Sequence, residues 1–115
     1  MTKFAMIAGL AGFTLTAAAH AVVPMLHEEA FAREEEKRII AAPIAGIQNS
    51  LWFDYRIDVI EAQKELSSDL RRASDIEDKR DAWEEYGHEL AHERKNYIEK
   101  MAKRGFRMGT VTIEN

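Results

Sequence analysis

SDIEDKRDAWEEYGHELAHERKNYIEKMAKRG, residues Ser74 to Gly105, is the stretch whose reading decides the fold. Ile76, Trp83, Leu90 and Tyr97 recur in it every seven residues. That spacing lines one side of an α-helix and gives the segment a face to bury. Ser74-Asp75-Ile76-Glu77 fits a capping box, in which a hydroxyl and a carboxylate satisfy backbone N–H groups of the first turn. Lys100, Lys103 and Arg104 suit the negative end of the helix dipole, and Gly105 is a C-terminal stop.

Upstream, Trp52, Tyr55, Val59, Ala62, Leu66, Leu70 and Ala73 follow a 3–4 spacing, and Asn49 or Ser50 offers a cap. Leu51, Phe53, Tyr55, Ile57 and Val59 also alternate with polar residues, a strand pattern. Helix is preferred because its spacing accounts for more of the residues. Two helices with complementary apolar stripes, Trp52 to Leu70 and Ile76 to Tyr97, predict an antiparallel hairpin over 47–105. One continuous helix is the alternative, but it would put Asp69, Arg80, Gly87 and Arg94 on the packing seam.

Before the hairpin, residues 22–46 read as a short charged helix and a hinge. His27 to Ile40 is rich in helix formers, with Glu34 paired to Lys37 and Arg38, and is expected to be mostly solvated. Ala41-Ala42-Pro43-Ile44-Ala45-Gly46 breaks it. Residues 1–21 have a signal-peptide profile: Lys3, an uncharged Ala- and Gly-rich run, then Ala19-His20-Ala21 for a peptidase. The competing expectation is an uncleaved membrane anchor over 4–26. Either way the remainder is placed outside the cytoplasm, periplasmic or otherwise exported, or held as a single-pass anchored chain. Residues 106–115 alternate weakly and read as a short extended tail. The predicted class is all-α.

Charge narrows the function. The chain of 115 residues has 16 Lys and Arg against 20 Asp and Glu, which excludes the basic footprint that nucleic acid requires. It has no cysteine, so disulfides and thiolate chemistry are excluded as well.

One motif carries chemistry. His88-Glu89-Leu90-Ala91-His92 is an HExxH sequence and resembles the motif of zincin-type zinc peptidases. The resemblance implies His88 and His92 as metal ligands at i and i+4 and Glu89 as general base on a metal-bound water. A third ligand would have to be Glu114. Glu84, Glu85, Glu93, Arg94 and Lys95 around the motif depart from the uncharged flanks of a buried zincin helix. At about 100° per residue the two histidines fall nearly opposite Leu90, so they should face water. No cofactor is therefore expected, with zinc the one the pattern would take.

These observations point to an exported, non-enzymatic helical interaction protein, an adaptor or an accessory subunit of a membrane complex. Its partner would be a protein of the cell envelope or a second copy, with membrane contact through 4–26 if that segment is retained. Trp52, Tyr55, Trp83, Tyr97 and Phe106 are the candidate interface anchors. A small HExxH zinc peptidase, or a surface divalent-metal protein, is the alternative.

Overall fold

The computed structural model describes residues 24–108. Most of the expected targeting segment, and residues 109–115 with Glu114, lie outside the described residues. Three α-helices follow in order: α1, His27–Glu36; α2, Ser50–Arg72; and α3, Ile76–Lys103. No strand occurs among the described residues, so the all-α reading holds and residues 51–59 are helical.

The caps explain where α2 and α3 begin. Asn49 precedes α2, and its side-chain oxygen accepts from the Trp52 N–H at 3.1 Å. At α3 the cap sits one residue later than expected. Asp75, not Ser74, caps the helix by accepting from the Asp78 N–H at 2.9 Å. Asp78 reaches back to accept from both the N–H and the hydroxyl of Ser74, each at 3.0 Å. Those bonds hold the Asp78 carboxyl below its ordinary value. The other end closes with Gly105 at φ 94°, the Gly105 N–H on the Ala102 carbonyl and the Phe106 N–H on the Met101 carbonyl. This left-handed closure satisfies carbonyls that would otherwise be orphaned, and it folds Phe106 back onto the core.

α2 and α3 are joined by the three residues Ala73 to Asp75 and run antiparallel, so the N-terminal end of α2 meets the C-terminal end of α3. There the Asn49 amide donates to the Met101 sulfur at 3.5 Å. The rings of Tyr55 and Tyr97 stack at 4.8 Å with 13° between their planes, and Trp52 lies 5.9 Å from Tyr97. Leu90 and Met101 are the largest side chains that are fully buried.

α1 is more than the solvated helix its charge suggested. It packs along α3 with Ala32 and Glu35 buried. Gly87, an awkward residue on a seam read from sequence, is the point of closest approach. A Cβ there would lie 2.6 Å from the Phe31 ring and 3.2 Å from the Ala32 backbone. The buried Glu35 carboxylate accepts from Arg94 and is also paired with Arg38. Arg80 reaches Glu28 at 2.9 Å, the Tyr86 hydroxyl donates to Glu36 at 2.6 Å, and the Arg33 guanidinium sits 4.6 Å over the Trp83 ring. Opposite charges on α1 and α3 have been sorted into contact.

The segment between α1 and α2, expected to be a hinge, is tied down at two points. The Ile40 N–H donates to the Tyr55 hydroxyl at 2.9 Å, and the Ile44 N–H donates to the Tyr97 hydroxyl at 3.0 Å. Ile44 opens a single 3-10 turn, Ile44–Gly46, in which Ala45 takes a left-handed φ of 55°. That conformation is unfavourable for alanine. The two tyrosine bonds and the burial of Ile44 hold it.

Candidate functional site

Three surfaces of this fold hold the residues of interest. The first is the outer face of α3 with the HExxH residues. His88 and His92 are exposed, as their angle from Leu90 predicted, while Glu89 is half-buried and turns toward α2. The two histidines are not gathered with a third His, Asp or Glu into a metal-holding group among the described residues. His88 instead makes an edge contact with Phe31, ring centres 5.5 Å apart. It shares with His27, Glu28, Phe31 and Glu84 a shallow groove of about 190 Å³ between α1 and α3. The meeting of His27 and His88 could not be read from sequence, because the docking of α1 on Gly87 creates it.

The second surface is the edge where α2 and α3 meet. Asp58, Glu65 and Asp69 from α2 face Glu85, Glu89 and Glu93 from α3. Carboxylate oxygens of Glu65, Asp69 and Glu85 lie within 4.8 Å of one another. An all-oxygen set suits a hard cation such as Mg²⁺ or Ca²⁺ better than Zn²⁺. Asp69 is already partly neutralised by Arg72 at 2.8 Å. Glu65, with burial and Asp69, raises the Glu85 carboxyl above its ordinary value. Burial together with a hydrogen bond to Asp58 pushes Glu93 up to about 7. Like charges facing each other oppose the pairing of the two helices, and proton uptake or a cation relieves them.

The third surface is the outer face of α2. Trp52, Tyr55, Trp83 and Tyr97, expected as partner anchors, are spent inside the chain's own core, and Phe106 is half-buried against it. The large apolar side chains left to solvent on α2 are Phe53, Ile57 and Ile60, 46%, 52% and 43% exposed. Beside them Ile39, Ile40 and Ala41 face Trp52, Tyr55, Arg56, Val59, Ile60 and Gln63 across an open groove of about 350 Å³. The strand-like alternation of residues 51–59 was the trace of this surface. A helix with two apolar faces puts Tyr55 and Val59 on one and Phe53 and Ile57 on the other, which looks like a period of two.

No helix of the described residues is long and apolar enough to cross a membrane. The chain matches no protein-family model, no curated protein and no solved structure.

Proposed function

We propose that the protein is a non-enzymatic helical interaction module, an exported adaptor or accessory subunit of a membrane complex, that holds a protein partner on the outer face of α2. The observation that carries this reading is the line of Phe53, Ile57 and Ile60, exposed at i, i+4 and i+7 on a helix whose opposite face is already packed. Apolar side chains gathered in one line cost solvation free energy in the free protein, and a partner recovers it. The sequence before Pro24 supports placement at the membrane, because its uncharged run suits a signal or an anchor.

The experiment is purification of the full chain from membranes in mild detergent, beside a variant carrying Ile57→Asp and Ile60→Asp. A partner retained by the wild type and lost by the variant is the expected result. Recovery of both as isolated monomers refutes the reading.

A further inference from the structure

The outer face of α2 has a charge pattern that specifies the partner, given the interaction reading above. At about 100° per residue, Phe53, Arg56, Ile57, Ile60, Lys64, Ser67 and Arg71 fall within an arc of roughly 100°. Every acidic residue of α2, namely Asp54, Asp58, Glu61, Glu65 and Asp69, falls in a separate arc of roughly 80° on the other side. Lys64 and Arg71 are exposed and make no ion pair among the described residues, and Arg56 lies 5.7 Å from the Trp52 ring centre. The face is therefore apolar in its first half apart from Arg56, which lies beside the Trp52 ring, cationic in its second, and free of carboxylates throughout.

We propose that this face docks an acidic amphipathic helix of another protein. Two observations favour a protein helix over an anionic lipid surface. Lys64 and Arg71 continue the apolar line along its own direction, whereas a helix lying on a bilayer carries its cations on the opposite or flanking face. The groove bounded by Ile39, Ile40, Trp52, Val59 and Ile60 is concave, which fits one large inserted side chain better than a flat layer. A second copy in parallel would bring Lys64 against Lys64 and Arg71 against Arg71, a repulsive pairing. From Phe53 to Arg71 the face is about 27 Å long, so the partner helix has about five turns. Its apolar residues meet Phe53, Ile57 and Ile60, and its Asp or Glu residues meet Lys64 and Arg71.

The test places the photo-crosslinking amino acid p-benzoylphenylalanine at position 57 of the full chain, and at position 99 on the far face of α3 as control. Cells producing each form are irradiated, and crosslinked peptides are sequenced by mass spectrometry. Position 57 should capture a protein segment with apolar residues at 3–4 spacing and an excess of Asp and Glu. Lys64→Glu combined with Arg71→Glu should lower that yield at least tenfold while circular dichroism and melting temperature hold. A yield within twofold after charge reversal overturns the proposal. So does capture of a second copy, of lipid alone or of a basic segment, equal capture at position 99, or none at 57. If the membrane purification still recovers a partner in any of those cases, the adaptor or subunit reading stands and what fails is the acidic helix on this face.

Discussion

Removing one oxygen from Tyr97 tests whether the segment between α1 and α2 is held by design of the core. In Tyr97→Phe the ring keeps its place, stacked on Tyr55 at 4.8 Å and beside Trp52 at 5.9 Å, so little apolar burial changes. What changes is the Ile44 N–H, which loses its 3.0 Å acceptor in a buried position. An unsatisfied buried donor costs about 1–3 kcal/mol. Tyr55→Phe removes the acceptor of the Ile40 N–H, but that bond is only part-buried and water can replace it, so about 0.5–1 kcal/mol is expected. For a domain of this size each kcal/mol moves the melting temperature by roughly 4–8 °C. Urea unfolding should give an unchanged slope and a lower midpoint for both variants, with the larger fall in Tyr97→Phe. Amide exchange at Ile44 should accelerate in that variant. Equal losses in the two variants, or a loss in Tyr97→Phe below about 0.3 kcal/mol, would refute the argument that this bond holds the turn against the left-handed Ala45.

Leu90, 2% exposed at the centre of α3, should cost about 3–4 kcal/mol on change to Ala, while the half-buried Leu66 should cost nearer 1–2 by the same urea assay. Arg94→Met leaves the buried Glu35 with Arg38 alone and should destabilise by about 2–4 kcal/mol; adding Glu35→Met should restore part of that, measured as a double-mutant cycle. Glu93 titrates near 7 in the folded chain against an ordinary 4.5. Its contribution to stability is therefore complete below about 4.5 and lost as pH rises through about 7, so Glu93→Gln should raise the melting temperature at pH 8 and change it little at pH 5.

The helices were legible because periodicity reports burial, and burial here is mostly one-sided. Ile76 is the instructive exception: it shares the phase of Trp83, Leu90 and Tyr97 yet is 58% exposed, because it lies in the first turn of α3, beyond the packed face. Gly105, and Asn49 as one of two candidate caps beside Ser50, were legible because cap chemistry is local, although the same reasoning fell one residue short at α3, on Ser74 and not Asp75. The α1–α3 contact was not. It depends on the absence of a side chain at Gly87 and on pairs such as Arg80 with Glu28 and Arg94 with Glu35, more than fifty residues apart in sequence. The aromatic anchors were identified by type, but type does not say whether Trp52 or Tyr97 is used inside the chain or outside it. The histidines were placed correctly toward water, since one helix fixes their angle relative to Leu90. The acidic seam went unread because it needs the register of two helices, which no single-helix pattern contains.

The two contacts of α3 are therefore unlike in kind, and the difference has a consequence. Toward α1 it presents Arg80, Arg94 and the Tyr86 hydroxyl to carboxylates, and the Glu35 pair is largely shielded from solvent. Toward α2 it presents Glu85, Glu89 and Glu93 to Asp58, Glu65 and Asp69, a repulsion that Trp52, Tyr55, Tyr97 and Leu90 must outweigh by burial. Salt screens exposed charges over about 8–10 Å at 0.1–0.15 M and buried pairs much less. Raising NaCl from about 20 to 200 mM at pH 8 should therefore stabilise the fold, because the acidic seam is relieved more than the α1 pairs are weakened. Glu85→Gln with Glu93→Gln should remove most of that salt dependence. A melting temperature that falls with salt in the wild type would show that the α1 pairs, not the seam, dominate the electrostatics of the domain.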